Sequence, residues 1–112
     1  MNWYIAKIVF NISAENTAHK PQFDEQLRLI AAASIEEAFH KARGRGIKEE
    51  DFFFNDHMNK VKWEFVDVAE ILLLKKIEDG MELYSRIHET DEARSYINWV
   101  HQKAVVLRMT GT

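Results

Sequence analysis

The sequence VKWEFVDVAE, residues 61–70, decides how this chain folds. In its first half every second residue is apolar, which is the period-two pattern of a strand with one buried face. The apolar parity then changes, because Val66 and Val68 are apolar on the opposite parity from Phe65. A one-residue slip would turn a whole face toward the wrong side of the sheet. The stretch therefore predicts a strand with a β-bulge near Phe65 and Val66.

Downstream, the same strand is expected to continue toward Ile77 and to return through a two-residue hairpin turn at Asp79 and Gly80. Residues 81–88 alternate between apolar and polar side chains, which predicts a further strand. A short helix over Val68–Lys76 is the alternative for the apolar sequence VAEILLLKK. The pattern alone leaves both interpretations open.

Two strands are predicted upstream, over Trp3–Ile12 and Phe23–Ala31, separated by a polar loop that ends in the only proline. Because the loop is short, the two strands are expected to pair antiparallel. In the second strand, the parity that contains Leu29 is the more apolar one and is assigned to the core. Ile30 is thereby assigned to the opposite face, together with the polar residues of the same parity, Asp24, Gln26 and Arg28.

The sequence SIEEAFHKARGRG, residues 34–46, predicts the first helix. Ser34 can cap the free backbone amides, and Glu37 can reach back to the cap as in a capping box. Apolar residues recur at helical spacing through this stretch. Gly44 and Gly46 are expected to end the helix.

A second helix is predicted near the C-terminus, with Thr90 as its N-cap and an apolar stripe that starts at Ala93. Phe52–Phe54 can form a short strand before the long one. The predicted fold is a single α+β domain over residues 1–112. It consists of an antiparallel sheet of four to five strands with two helices packed on one face, in the order ββα(β)ββα.

Composition narrows the class of protein. The chain has 112 residues, of which 46% are hydrophobic and 29% charged, and a formal net charge of −3. These values predict one globular domain, without a global field for nucleic acid or membrane. We expect a cytoplasmic protein, since the apolar N-terminus lacks the basic leading region of a signal peptide. Without cysteine, and with five histidines outside the usual ligand spacings, no metal or other cofactor is expected.

The sheet face opposite the helices is the candidate functional surface, because it is too apolar for a solvated face and too charged for a core. The first hypothesis is a homodimer interface, with candidate residues Trp3, Ile5, Val9 and Ile30. The alternative is a shallow cradle for a small anionic ligand, in which Trp3 and Tyr84 stack on the ligand. Its polar candidates are Lys7, Arg28, Glu64, Tyr84, Arg86 and His88.

Catalysis and nucleic-acid binding have weaker support. Glu64, Asp67, His88 and Glu89 could supply a general acid and base, but Glu64 and His88 would have to meet across strands, and no sequence feature fixes that register. We therefore do not expect an enzyme. Basic residues cluster near residues 41–48, beside the aromatic Phe52–Phe54. The three acidic residues 49–51 lie between them and cancel much of this charge, so nucleic-acid binding is not expected.

Four segments together resemble a small, mostly bacterial family described as a domain of unknown function, number 4288. They are NWYIAKIVF, FDEQLRLIAAASIEEAFHKA, VKWEFVDVAEI and DGMELYSRIHE, and they span nearly the whole chain. The resemblance implies a stand-alone bacterial protein of about this size, and it brings no reaction, cofactor or binding residue. We expect a small self-associating binding or assembly module. The alternative is a small-ligand-binding protein or enzyme that uses the sheet face opposite the helices, with Lys7, Arg28, Arg86 and Glu64.

Overall fold

Four antiparallel strands and two helices form the structure, a computed structural model that describes residues 1–16 and 20–109. In chain order these elements are β1 (Asn2–Ala14), β2 (Gln22–Ala32), α1 (Ile35–Lys48), β3 (Asp51–Phe54), β4 (Lys60–Leu74) and α2 (Ala93–Met109). The α+β class and the order of the elements agree with the prediction. The short strand over Phe52–Phe54 is also confirmed, as β3.

The sheet has the strand order β2-β1-β4-β3, with every neighbouring pair antiparallel. The β-bulge predicted in β4 is confirmed, because Phe65 lies opposite Phe10 while Asp67 lies opposite Val9, which leaves Val66 without a partner. A second irregularity, which the sequence did not predict, leaves Ala69 unpaired. These two extra residues absorb the change of parity. As a result, the apolar residues Trp63, Phe65, Val68 and Ile71 all pack against the core.

The core lies between the sheet and α1. Its buried members are Tyr4, Ala6, Ile8, Phe10, Ile30, Ala32, Ala38 and Ala42. They come from β1, β2 and α1, and among the described helices only α1 packs on this face of the sheet. The alanines on α1 allow the helix to approach the strands closely.

The predicted N-terminus of α1 is confirmed. The Ser34 hydroxyl accepts a hydrogen bond from the Glu37 backbone amide at 3.2 Å. The Glu37 carboxylate accepts one from the Ala33 amide at 3.1 Å, one residue before the cap. The predicted end at the glycines is wrong, because α1 continues through both to Lys48. Gly46 instead lies against the sheet, where a side chain would meet Phe65.

The predicted orientation of β2 is also wrong. Ile30 pairs with Tyr4 on the helix side and is only 3% exposed, whereas Leu29 pairs with Ile5 on the opposite side and is 61% exposed. The polar side chains of β2 can lie on the helix side because β2 is an edge strand of the sheet. There Arg28 reaches Glu49 at the end of α1, which satisfies its charge.

Residues 81–88 do not form the predicted strand, and the alternative helix over Val68–Lys76 is wrong as well, since β4 continues to Leu74. The predicted turn exists: the Met81 amide donates to the Glu78 carbonyl at 3.2 Å, and Gly80 has a φ of +83°. However, the chain beyond the turn does not pair with β4. It is held on the sheet by a side-chain contact between Tyr84 and Lys7.

The predicted packing of both helices on one face is wrong for α2. This helix contacts neither α1 nor any of the four strands. The radius of gyration is 18.1 Å, whereas a compact chain of this length has about 13 Å. The helix-side core is already filled by α1, and the irregular segment after β4 leads α2 away from it. The helix begins at Ala93, and Thr90 accepts a hydrogen bond from the Glu92 amide at 3.1 Å, just before the helix starts.

Candidate functional site

The sheet face opposite α1, called here the open face, carries apolar residues from three strands. Ile5 lies at its centre, paired with Leu29 on one side and Leu72 on the other. Trp3 occupies the next position on β1 and is 49% exposed. Leu27, Leu29 and Leu72 are also exposed by roughly half or more. The open face is therefore an apolar surface that its own subunit covers only in part.

An ion cluster around Lys7 interrupts this apolar surface. The Lys7 ammonium donates to the Tyr84 hydroxyl at 3.0 Å and pairs with the Glu25 carboxylate at 2.8 Å. The hydrogen bond to Glu25, with that to Tyr84, raises the pKa of Lys7. The hydrogen bond from Lys7 lowers the pKa of Glu25, and Arg86 adds a smaller electrostatic contribution in the same direction. Lys7 is therefore a fully charged group whose charge is already balanced.

Residues 81–86, called here the strap, cross the open face through this cluster. Tyr84 fixes the strap to β1, and the Lys7 ammonium also lies 5.3 Å from the Tyr84 ring centre. A cavity of about 400 Å³ remains between the strap and the end of β4, lined by residues that include Leu72, Leu83 and Tyr84. Ile5 is only 7% exposed although neither helix packs on its side of the sheet. The strap thus covers the middle of the open face and leaves its β2 side exposed.

The polar residues predicted to bind a ligand lie in separate places. Lys7 and Tyr84 are in contact, and Arg86 influences the same cluster. Arg28 lies on the helix side, paired with Glu49, which raises the pKa of Arg28 and lowers that of Glu49. Two further candidates lie elsewhere: Glu64 lines a shallow cavity of about 260 Å³ beside β3, and His88 stacks on Tyr96 at 4.9 Å between ring centres. The structure does not bring the predicted set together.

The residues predicted for an interface are also divided. Trp3 is half exposed, Ile5 is buried, and Val9 is partly buried. Ile30 belongs to the core on the other side of the sheet. The prediction missed Leu27, Leu29 and Leu72 because the parity of β2 was reversed and residues 68–76 had two interpretations. The signal for the β2 residues was present in the sequence as an apolar alternation, interrupted by Glu25, but it was assigned to the wrong face.

A second apolar surface lies on α2. Its side chains Tyr96, Ile97, Trp99 and Val100 are between 41% and 53% exposed. Tyr96 stacks on Trp99, with ring centres 6.0 Å apart. The apolar stripe continues through Ala104 and Leu107 toward the C-terminus. This set, Tyr96, Ile97, Trp99, Val100, Ala104 and Leu107, is called here the α2 stripe. No residue of α2 is buried.

Among residues 1–16 and 20–109, no group of three or more metal-ligating side chains lies close enough together to hold a metal ion. Within the same residues, neither helix has the length and apolar character needed to span a membrane.

The sequence profile of a family described as a domain of unknown function (DUF4288) matches residues 3–85. The chain belongs to this family. The match covers the four strands, α1 and the strap as far as Ser85, and it ends before α2. No curated protein and no solved structure matches this DUF4288 chain.

Proposed function

We propose that the protein is a self-associating binding or assembly module, and that it forms a homodimer through the open face and the α2 stripe. One observation carries this proposal: α2 has 17 residues and an apolar stripe, yet contacts no other helix or strand of its own chain. Most helical stability in proteins comes from packing of the apolar side against other elements rather than from helix propensity. The α2 stripe therefore needs a surface to cover it.

The exposed apolar area is sufficient for a dimer. A fully buried aromatic side chain removes about 150–250 Å² from water, so the half-exposed Tyr96 and Trp99 with their aliphatic neighbours offer roughly 400 Å². The exposed part of the open face offers a similar area. In a two-fold exchange this contact occurs twice, which gives a total of about 1,600 Å². Stable protein interfaces bury about 1,200–2,000 Å².

The small-ligand alternative has less support. It required Lys7, Arg28, Arg86 and Glu64 to act together, whereas Arg28 lies across the sheet and Glu64 lies beside β3. The charge of Lys7 is already balanced by Glu25, so it is not free to attract an anion. Self-association uses the exposed apolar residues without breaking this cluster.

Sedimentation of the full chain over a range of concentrations tests the proposal. The mass is expected to rise from 13.2 kDa toward twice that value. Ile97→Asp should keep the chain monomeric but folded, because Ile97 is 53% exposed and α2 contacts no other element. Asn98→Asp is the matched control, since it adds the same charge about 100° around the helix. A wild-type chain that stays monomeric, or an Ile97→Asp chain that dimerises like the control, would refute self-association through α2.

A further inference from the structure

A groove that neither the strap nor α2 occupies runs between β2 and α1. It has a volume of about 530 Å³. One wall is β2, an edge strand of the sheet, and the other is the C-terminal half of α1. Three cations from successive turns of α1 line it: Lys41, Arg45 and Lys48. A side chain at Gly44 would meet no atom within 4 Å, so the groove is open at this point.

The groove keeps an excess of positive charge. Glu49 is the one carboxylate among the described residues that line it, and it is held by Arg28 from β2. Lys41 donates to the Ala31 carbonyl on β2, and Arg45 lies 3.8 Å from Glu49. Lys48 forms no ion pair within residues 1–16 and 20–109. Several unmatched N–H donors therefore remain for an external anion.

The same groove is continuous with the exposed part of the open face. Trp3 and Leu29 line it together with the cations. Both side chains are about half exposed or more. A partner that fits here must therefore offer carboxylates next to an apolar surface.

The chain itself carries such a pattern immediately before and within α2. Glu89, Asp91 and Glu92 precede the helix, and none of the three forms an ion pair in the described part of the chain. Tyr96 follows Glu92 after about one helical turn, roughly 6 Å along the axis. Acidic and apolar groups thus succeed each other over a distance comparable with the width of the groove.

We propose that the groove of one copy binds the acidic segment Glu89–Glu92 of a second copy, which places Tyr96 of that copy against Trp3 and Leu29. This inference rests on the proposed self-association and names its docking site. A second copy is the occupant because the charges are complementary, three cations facing three carboxylates, and because the acidic segment contacts no groove residue of its own chain. Each copy contributes one groove and one segment, so the contact closes on itself as a two-fold dimer.

Charge reversal in two separate chains tests the docking site. The first variant carries Arg45→Glu with Lys48→Glu, and the second carries Glu89→Lys with Glu92→Lys. Each variant alone should dissociate, with a rise in Kd of about tenfold or more, because like charges then meet in both contacts. Mixed in equal amounts they should form a heterodimer, since each groove then faces a segment of opposite charge. Recovery in the mixture also shows that both variants are folded.

A matched control separates this effect from a change of net charge. Lys60→Glu with Lys62→Glu reverses two cations at the start of β4, outside the groove, where residues 60–63 pair with β3. This chain should dimerise like the wild type. The full-length chains are compared by sedimentation at low and high salt, and the wild-type dimer should weaken at high salt.

The outcomes are distinct. If the wild type dimerises but the groove and segment variants do so equally well, or if their mixture stays monomeric, the docking site is wrong while self-association stands. Docking of the segment in its own chain would also give a monomeric mixture. If the wild type is monomeric at every concentration, the proposed function itself fails.

Discussion

Gly46→Ala gives a direct test of how closely α1 approaches the sheet. In most helices this substitution stabilises the protein by about 1 kcal/mol, because alanine has a smaller backbone entropy loss. Here a methyl group at Gly46 would lie 2.5 Å from Phe65 Cε1 and 3.2 Å from Ile8 Cγ2. Carbon atoms in contact are normally about 3.5–4.0 Å apart. The phenyl ring would therefore have to move by about 1 Å.

The size of the effect follows from the gain in helix propensity and the steric clash with Phe65. Phe65 also packs edge-on against Phe10, at 6.2 Å between ring centres, and so cannot turn away freely. Overpacking of this kind costs about 1–3 kcal/mol, which exceeds the gain in helix propensity. We expect Gly46→Ala to lower the free energy of unfolding by about 1 kcal/mol, and the melting temperature by about 4 °C for a chain of this size.

Gly44→Ala is the matched control, two residues away in the same helix. A methyl group there would have no neighbour within 4 Å. The gain in helix propensity should then remain, and the free energy of unfolding should rise by about 0.5–1 kcal/mol. Both variants are compared with the wild type by urea denaturation followed by circular dichroism.

The two substitutions should thus have opposite signs. Combining Gly46→Ala with Phe65→Leu should recover part of the loss relative to Phe65→Leu alone, since the smaller side chain leaves room for the methyl group. If Gly46→Ala stabilises the chain as much as Gly44→Ala does, α1 does not approach Phe65 closely at Gly46, and the reasoning about its packing fails.

Three further predictions concern the fold. Ile30→Asp should unfold the chain, because it places a charge in the core, whereas Leu29→Asp should leave the monomer folded, as measured by circular dichroism; equal loss of folded structure would contradict the orientation of β2. Ser34→Ala should lower the free energy of unfolding by about 1 kcal/mol in urea denaturation, and no loss would argue against the cap. Because Lys7 lowers the pKa of Glu25, the stability that this carboxylate provides should be present above its ordinary pKa and disappear as the pH falls through the lowered value. The wild type should therefore be more stable than Glu25→Gln at neutral pH, and the difference should vanish in acid; a constant difference would refute the ion pair.

Local patterns determined much of the fold. The alternation in Trp3–Ile12 and the capping sequence at Ser34 predict β1 and the start of α1, because period and hydrogen-bonding capacity are properties of neighbouring residues. The change of parity at Phe65 and Val66 was sufficient to predict the bulge in β4. A bulge lets one strand keep its apolar residues on a single face when their spacing changes.

The face chosen by β2 could not be read from its own residues. Its apolar parity suggested burial, but the position of β2 at the sheet edge lets Arg28 reach Glu49 on the helix side. Whether a strand face is buried depends on the residues of the layer that packs on it. Here Glu49, distant in sequence, pairs with Arg28, so the polar side of β2 can face α1. The role of Gly46 could not be read from local sequence either, because its contact with Phe65 depends on how α1 packs on the sheet.

The candidate surface shows the same division. The sequence determined that apolar residues would occur on the open face and that α2 would be amphipathic, since both follow from local periodicity. Only the tertiary structure decided that Tyr84 ties the strap to Lys7, that α2 has no contact with the sheet, and that cations of α1 lie beside Trp3. These relations join residues far apart in the chain, and their geometry depends on how the layers pack, which no local pattern encodes.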